Sequence, residues 1–255
     1  MLNLIRHGQP TGAPPLVIAH GLFGSARNWN AVARRFAARR ETLVVDMRNH
    51  GESFRDPVHS YEAMAGDLAA VIAAEAGGRA DVLGHSMGGK AAMALALTAP
   101  ERVGRLVVDD IAPVRYGHSQ IGYVRAMEAL DLSGVRRRSD ADAALAASVP
   151  EPGVRAFLIQ SLALTQEGAA WKLNLDALGD QMPGIMDFPD LPGRFEGQTL
   201  FLVGGASDYV RDAHRPEIEA RFPAARIEAL PGVGHWLHAE APEAFVAAVE
   251  AFLAE

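Results

Sequence analysis

The sequence predicts an α/β protein, with a mostly parallel central sheet flanked by helices. Three observations point there. From residue 15 to about 110, short apolar runs alternate with helical patterns, and repeated strand–helix–strand units require right-handed crossovers and parallel strands. Gly84-His85-Ser86-Met87-Gly88-Gly89 stands where the β-favouring residues 80–83 give way to the helix formers of residues 90–97. A further apolar run at 199–203 resumes the sheet pattern after a long helical stretch.

In chain order, residues 1–5 read as a short strand and 15–19 as a buried one, with a turn between them. His20-Gly21-Leu22-Phe23-Gly24-Ser25 follows directly. Such a loop can aim a backbone N–H at an acyl carbonyl oxygen; Leu22 is the first candidate donor and Phe23 the second, with His20 structural. Residues 28–40 predict an amphipathic helix carrying Trp29, Val32, Ala33 and Phe36 on one face. Residues 42–45 are the next strand. The polar loop after it, Asp46 to Ser53, is expected to be pinned by Asp46 and Arg48 through ion pairs or backbone bonds. A helix is expected over 61–75.

At the glycine-flanked corner, Ser86 reads as a nucleophile elbow: a turn tight enough to strain the serine backbone and to leave no room for side chains at 84 and 88. The N–H of Met87 then offers the second donor for a developing oxyanion. Residues 104–108 form another strand, ending in Asp109-Asp110-Ile111-Ala112-Pro113. In parallel sheets chemistry collects at the C-terminal strand ends, where the His20 loop, Ser86 and these aspartates fall.

From 114 to 192 the pattern changes to helical segments (117–130, 141–147, 153–164) with no convincing β run. This region is expected to be a helical cap inserted between core segments 1–113 and 193–255. Trp171 and Met127 are expected on its underside, facing the site, and Phe157 within its own packing. After the strand at 199–203 come a helix at 212–222, a strand at 226–230, the loop Gly232-Val233-Gly234-His235-Trp236 and a final helix at 242–253.

A serine hydroxyl needs a base during attack, and an imidazole titrating near neutrality suits that task. His235 is the candidate; His238 competes but lacks a preceding glycine. Phe23, Trp236, Trp171 and Met127 are the candidate substrate-binding residues, with Leu22, Trp29 and Met87 adding to an apolar acyl pocket.

The order of elbow serine, post-strand acid and C-terminal Gly-His, with His-Gly-x-x-Gly upstream, resembles the α/β-hydrolase family over essentially the whole chain. The stretches 20–25, 46–51, 84–90 and 110–114 resemble its small bacterial acyl-ester and acyl-CoA thioesterase branch. The resemblance implies the α/β-hydrolase fold and a Ser86–His235–acid triad acting through an acyl-enzyme. Members most often carry the acid after the strand at 199–203, but alignment on Val210 puts Ser207 in that slot and Asp208 one residue out. The Asp-Ile-Ala-Pro stretch favours Asp110, with Ser207 in support; Asp208 is the alternative and Asp109 the third choice. The implied substrates are small acyl esters or thioesters. A ligand-binding protein on the same scaffold, acyl transfer, perhydrolysis and C–C bond hydrolysis are the rival readings.

Composition bounds the rest. The 255 residues are 49% hydrophobic, enough for a substantial core, and contain no cysteine, which excludes disulfides, thiolate zinc sites and a cysteine nucleophile. The formal charge of −7 argues against nucleic-acid binding. With neither a signal-like N-terminus nor a long apolar run, the expectation is a cytoplasmic protein without a membrane span. No ligand spacing predicts a metal, and the chemistry calls for no cofactor.

Overall fold

The computed structural model describes all 255 residues. Seven strands form one sheet in the order β1-β3-β2-β4-β5-β8-β9. They are β1 (Leu4–His7), β2 (Leu16–Ala19), β3 (Thr42–Val45), β4 (Ala80–His85), β5 (Val103–Asp109), β8 (Thr199–Gly204) and β9 (Ala225–Leu230). Only β1 runs antiparallel to its neighbour, with Leu4 opposite Val45; every other pairing is parallel.

Alternation along the strands splits the core into two layers. Val17, Leu43, Val82, Val108 and Phe201 face one side, and Leu16, Ile18, Val44, Leu83, Val107 and Leu200 face the other. Helices α2 (Tyr61–Glu75) and α3 (Met87–Thr98) pack together on the first side; α1 (Asn30–Phe36) and α11 (Pro242–Leu253) cover the second. Because both faces are covered, β2, β3 and β4 are buried throughout; residues 16–19 and 43–45 are apolar without a break, and the buried Asp81 of β4 is paired with Arg40.

Between β5 and β8 lie α4 (Ile121–Glu128), α5 (Arg138–Leu145), α6 (Pro152–Ile159), α7 (Leu175–Asp180) and α8 (Met182–Met186). The same region holds an antiparallel hairpin, β6 (Leu162–Thr165) with β7 (Gly168–Trp171). The hairpin corrects the expectation of helix through residue 164. Its Leu/Ala strands carry no period-2 signature, and the turn is set by Gly168 at φ 135°, a conformation that side chains exclude. The region is tied to the core by a bridge between His50 and Leu173. Lys90, 1% exposed on α3, adds a second tie by donating to the carbonyls of Val114 (3.0 Å), Met186 (3.2 Å) and Asp187 (2.7 Å). Burial pushes its ammonium down to about 7. Near the C-terminus follow α9 (Arg215–Arg221) and α10 (Leu237–Glu240). No helix is long and apolar enough to cross a membrane.

Smaller differences lie at element ends. The helix read over 28–40 is a 3₁₀ turn, Ala26–Trp29, followed by the shorter α1, and β1 sits three residues beyond its expected start. Loop 46–53 is pinned as expected. The Asp46 carboxylate accepts from the N–H groups of Ala26 (2.7 Å) and Glu52 (2.9 Å), and Arg48 pairs with Asp67.

Five buried imidazoles give the fold a pH dependence of defined sign. Burial lowers the pKa of His20, His50 and His85, that of His59 to about 4, and that of His238 to about 3. Below the ordinary histidine value of 6.5 the unfolded chain binds protons that these rings refuse, so stability falls as pH drops from 6.5 towards 3. Urea midpoints should fall steadily from pH 7 to 4.5; a flat profile contradicts neutral burial of these rings.

Candidate active site

The site forms at the C-terminal ends of β4, β5 and β8. Strand β4 runs into α3 through Ser86, whose φ of 52° and ψ of −118° hold it in a sparsely populated region, at a cost of about 1–3 kcal/mol. The glycines on either side permit this. A Cβ on Gly84 would lie 2.2 Å from the Gly88 carbonyl oxygen, and one on Gly88 would lie 2.3 Å from that of Ala19. Backbone bonds lace the strand ends together: Ser86 N–H donates to Asp109 O (3.0 Å) and Asp110 N–H to Leu202 O (2.9 Å).

Of the four non-glycine residues with positive φ, Phe23 and Ser86 line the cavity and Asp110 bonds His235, while Asn49 lies in the loop after β3. At φ 51°, Asp110 turns away from the strand's line and is fully buried. Its Oδ1 accepts from Gly204 N–H (2.9 Å), while Oδ2 accepts from Ser207 Oγ (2.5 Å) and His235 Nδ1 (2.7 Å). With Nδ1–H committed to a carboxylate, the neutral ring of His235 carries its free lone pair on Nε2. The ring is held flat against Tyr209, centroids 3.8 Å apart. Its loop approaches β8 closely because Gly204 has no side chain; a Cβ there would lie 2.2 Å from Gly234 O. Glu240 fastens the loop from the other end by accepting from Gly234 N–H (2.7 Å) and Trp236 N–H (3.2 Å).

The rival residues lie elsewhere. Asp208 is exposed, and its side chain bonds none of these groups. Asp109 points away from Asp110, with Oδ2 3.3 Å from Nδ1 of His238, and His238 is buried and stacked on Trp29 at 4.0 Å. Neither reaches the cavity.

Ser86 and His235 line one cavity of about 250 Å³, 14 of whose 20 lining residues are hydrophobic. Ser86 Oγ forms no hydrogen bond within 3.5 Å. Phe23 N–H is occupied, donating to His50 Nε2 at 3.2 Å, whereas Leu22 N–H has no intramolecular partner. Met87, the first residue of α3, has an N–H beyond the helix's own bonding pattern and at its positive end.

Of the expected pocket residues, Phe23, Leu22, Met87 and Trp236 line the cavity; Trp171, Met127 and Trp29 do not. Trp171 and Met127 are buried in the core cluster that residues 114–192 share with the first face of the sheet, joined by a 3.0 Å bond from the Trp171 indole N–H to the Met127 carbonyl. Phe157, expected within the packing of residues 114–192, lines the cavity beside Trp236, ring centroids 5.8 Å apart. Sequence reading also missed Tyr209, Tyr116 and Lys90. Tyr209 sits two residues from Ser207, near enough in sequence to be a candidate, but its stacking depends on the path of a distant loop.

Comparison with known proteins identifies the family. Residues 16–248 match the model of the Alpha/beta hydrolase family. The mouse (Mus musculus) sn-1-specific diacylglycerol lipase ABHD11 is 43% identical over 249 residues, covering 94% of this chain and 81% of that protein. Esterase YbfF of Escherichia coli K12 is 40% identical over 242 residues, covering 94% and 92%. A marine microorganism esterase of known structure superposes with a TM-score of 0.93 at 32% identity, covering 98% of both chains. With a mostly parallel sheet, a strained strand-to-helix serine and relatives aligned over 81% and 92% of their length, the chain belongs to the alpha/beta hydrolase family, in its esterase branch.

Proposed function

We propose that this protein hydrolyses carboxylic esters or thioesters by a serine mechanism, with Ser86 as nucleophile, His235 as general base and acid, and Asp110 as the acid that orients His235. The observation that carries this reading is the 2.7 Å bond from His235 Nδ1 to the buried Asp110 carboxylate, beside a serine on strained backbone in the same cavity. Nε2 takes the Ser86 proton as Oγ attacks the acyl carbon, and the Asp110 carboxylate stabilises the imidazolium. The N–H groups of Leu22 and Met87 receive the oxyanion, each worth roughly 10²–10³ in rate. The imidazolium then returns its proton to the departing alkoxide or thiolate, and water, activated by the same ring, releases the acid from the acyl-enzyme.

Residues 114–192 act as a cap that bounds the acyl pocket. Phe157, Val154 and Leu158 of α6 line the cavity together with Leu22 and Met87, so its wall is largely apolar. In a series of p-nitrophenyl esters, kcat/KM should rise roughly fourfold per added methylene until the cavity is filled, then fall. Acyl-CoA thioesters of matched chain length tell which leaving group is preferred. Saturable binding of these esters without turnover would instead support a ligand-binding protein.

A further inference from the structure

Beside Ser86 and His235 lies a second cluster of polar side chains, one of which, His85, also lines the cavity. His85, Asp109 and His238 are all buried, and one donor atom from each lies within 4.8 Å of the other two. No linear spacing announces this set; β4, β5 and α10 bring it together. Asp109 Oδ1 is buried and has no hydrogen-bond partner, although Oδ2 sits 3.3 Å from His238 Nδ1. An orphaned buried carboxylate oxygen is costly, and a carboxylate grouped with two imidazoles has the makings of a metal site.

We propose that His85, Asp109 and His238 form an inhibitory site for a divalent transition metal of the zinc, cobalt or copper kind. Two imidazoles and one carboxylate suit these borderline ions better than magnesium or calcium, which take oxygen ligands. Metal–ligand bonds of about 2.0–2.1 Å in a tetrahedral site set neighbouring donors roughly 3.3 Å apart. The Asp109–His238 pair already has that separation, 3.3 Å, and closing from the present limit of 4.8 Å requires a movement of about 1.5 Å at most. Inhibition follows from what else His85 holds. Its Nε2 lies 3.0 Å from the carbonyl oxygen of His235, so a metal drawing on that ring disturbs the segment that presents the base. Trp29, stacked on His238, encloses the cluster on the far side.

The direct test is titration of the folded protein with Co²⁺, followed by the visible absorption of a low-coordinate site and independent of any turnover. One equivalent should produce the band, and Zn²⁺ should displace it. His238→Gln and Asp109→Asn should each weaken Co²⁺ binding tenfold or more, while His235→Ala keeps it. Cu²⁺ bound to the wild type should show two imidazole nitrogens by electron paramagnetic resonance, a readout that no misfolded variant can spoil. No band, one nitrogen, or a band lost in His235→Ala but kept in His238→Gln would overturn the proposal. The inhibitory half rests on the ester reading: one equivalent of Zn²⁺ should slow wild-type ester turnover, and undiminished turnover with the metal bound overturns that half alone.

Discussion

Ser86→Ala is expected to lower kcat/KM for a p-nitrophenyl ester by roughly 10⁴-fold or more, the scale on which serine hydrolases lose their nucleophile. The fold should survive. Ser86 Oγ makes no hydrogen bond that the core depends on, and alanine meets no greater steric penalty than serine at φ 52°. A circular-dichroism spectrum and melting curve close to wild type, with turnover gone, are the expected pair of results. Substantial remaining turnover would mean that another group attacks the acyl carbon.

Asp110→Asn should cost on the order of 10⁴ in kcat, by analogy with the same change in serine proteases, where the amide favours the wrong imidazole tautomer. Here Asp110 gathers Gly204 N–H, Ser207 Oγ and His235 Nδ1 on one carboxylate. An asparagine must turn its NH₂ towards one of these donors. Asp208→Asn provides the control: its side chain is exposed and outside the network, so kcat should stay within about twofold of wild type. Loss confined to Asp208→Asn would move the acid to the end of β8.

Much of this arrangement was legible in the sequence because local chemistry dictated it. A serine between glycines at a strand-to-helix corner permits few backbones, and the contacts at Gly84 and Gly88 show why. The buried strands declare themselves by short, mostly apolar runs such as residues 16–19 and 43–45. Asp110 was harder to place, since Asp109, Asp110 and Asp208 are chemically alike; what separates them is the positive φ of Asp110, a conformation that no local pattern announces. The inserted region was read least well. Its helices are short, its hairpin strands are mostly leucine and alanine, and whether Trp171 or Phe157 lines the cavity depends on how the pieces fold back on the core. The polar cluster at the ends of β4 and β5 is a purely tertiary product, because His85, Asp109 and His238 come from three separate elements.

A fluorophosphonate, which bonds covalently to an activated serine, tests the central claim most directly when intact mass and peptide mapping are read together. The account predicts a single adduct, on Ser86, formed rapidly by the wild type and far more slowly by His235→Ala. An adduct on another residue, or none while ester turnover continues, would contradict it.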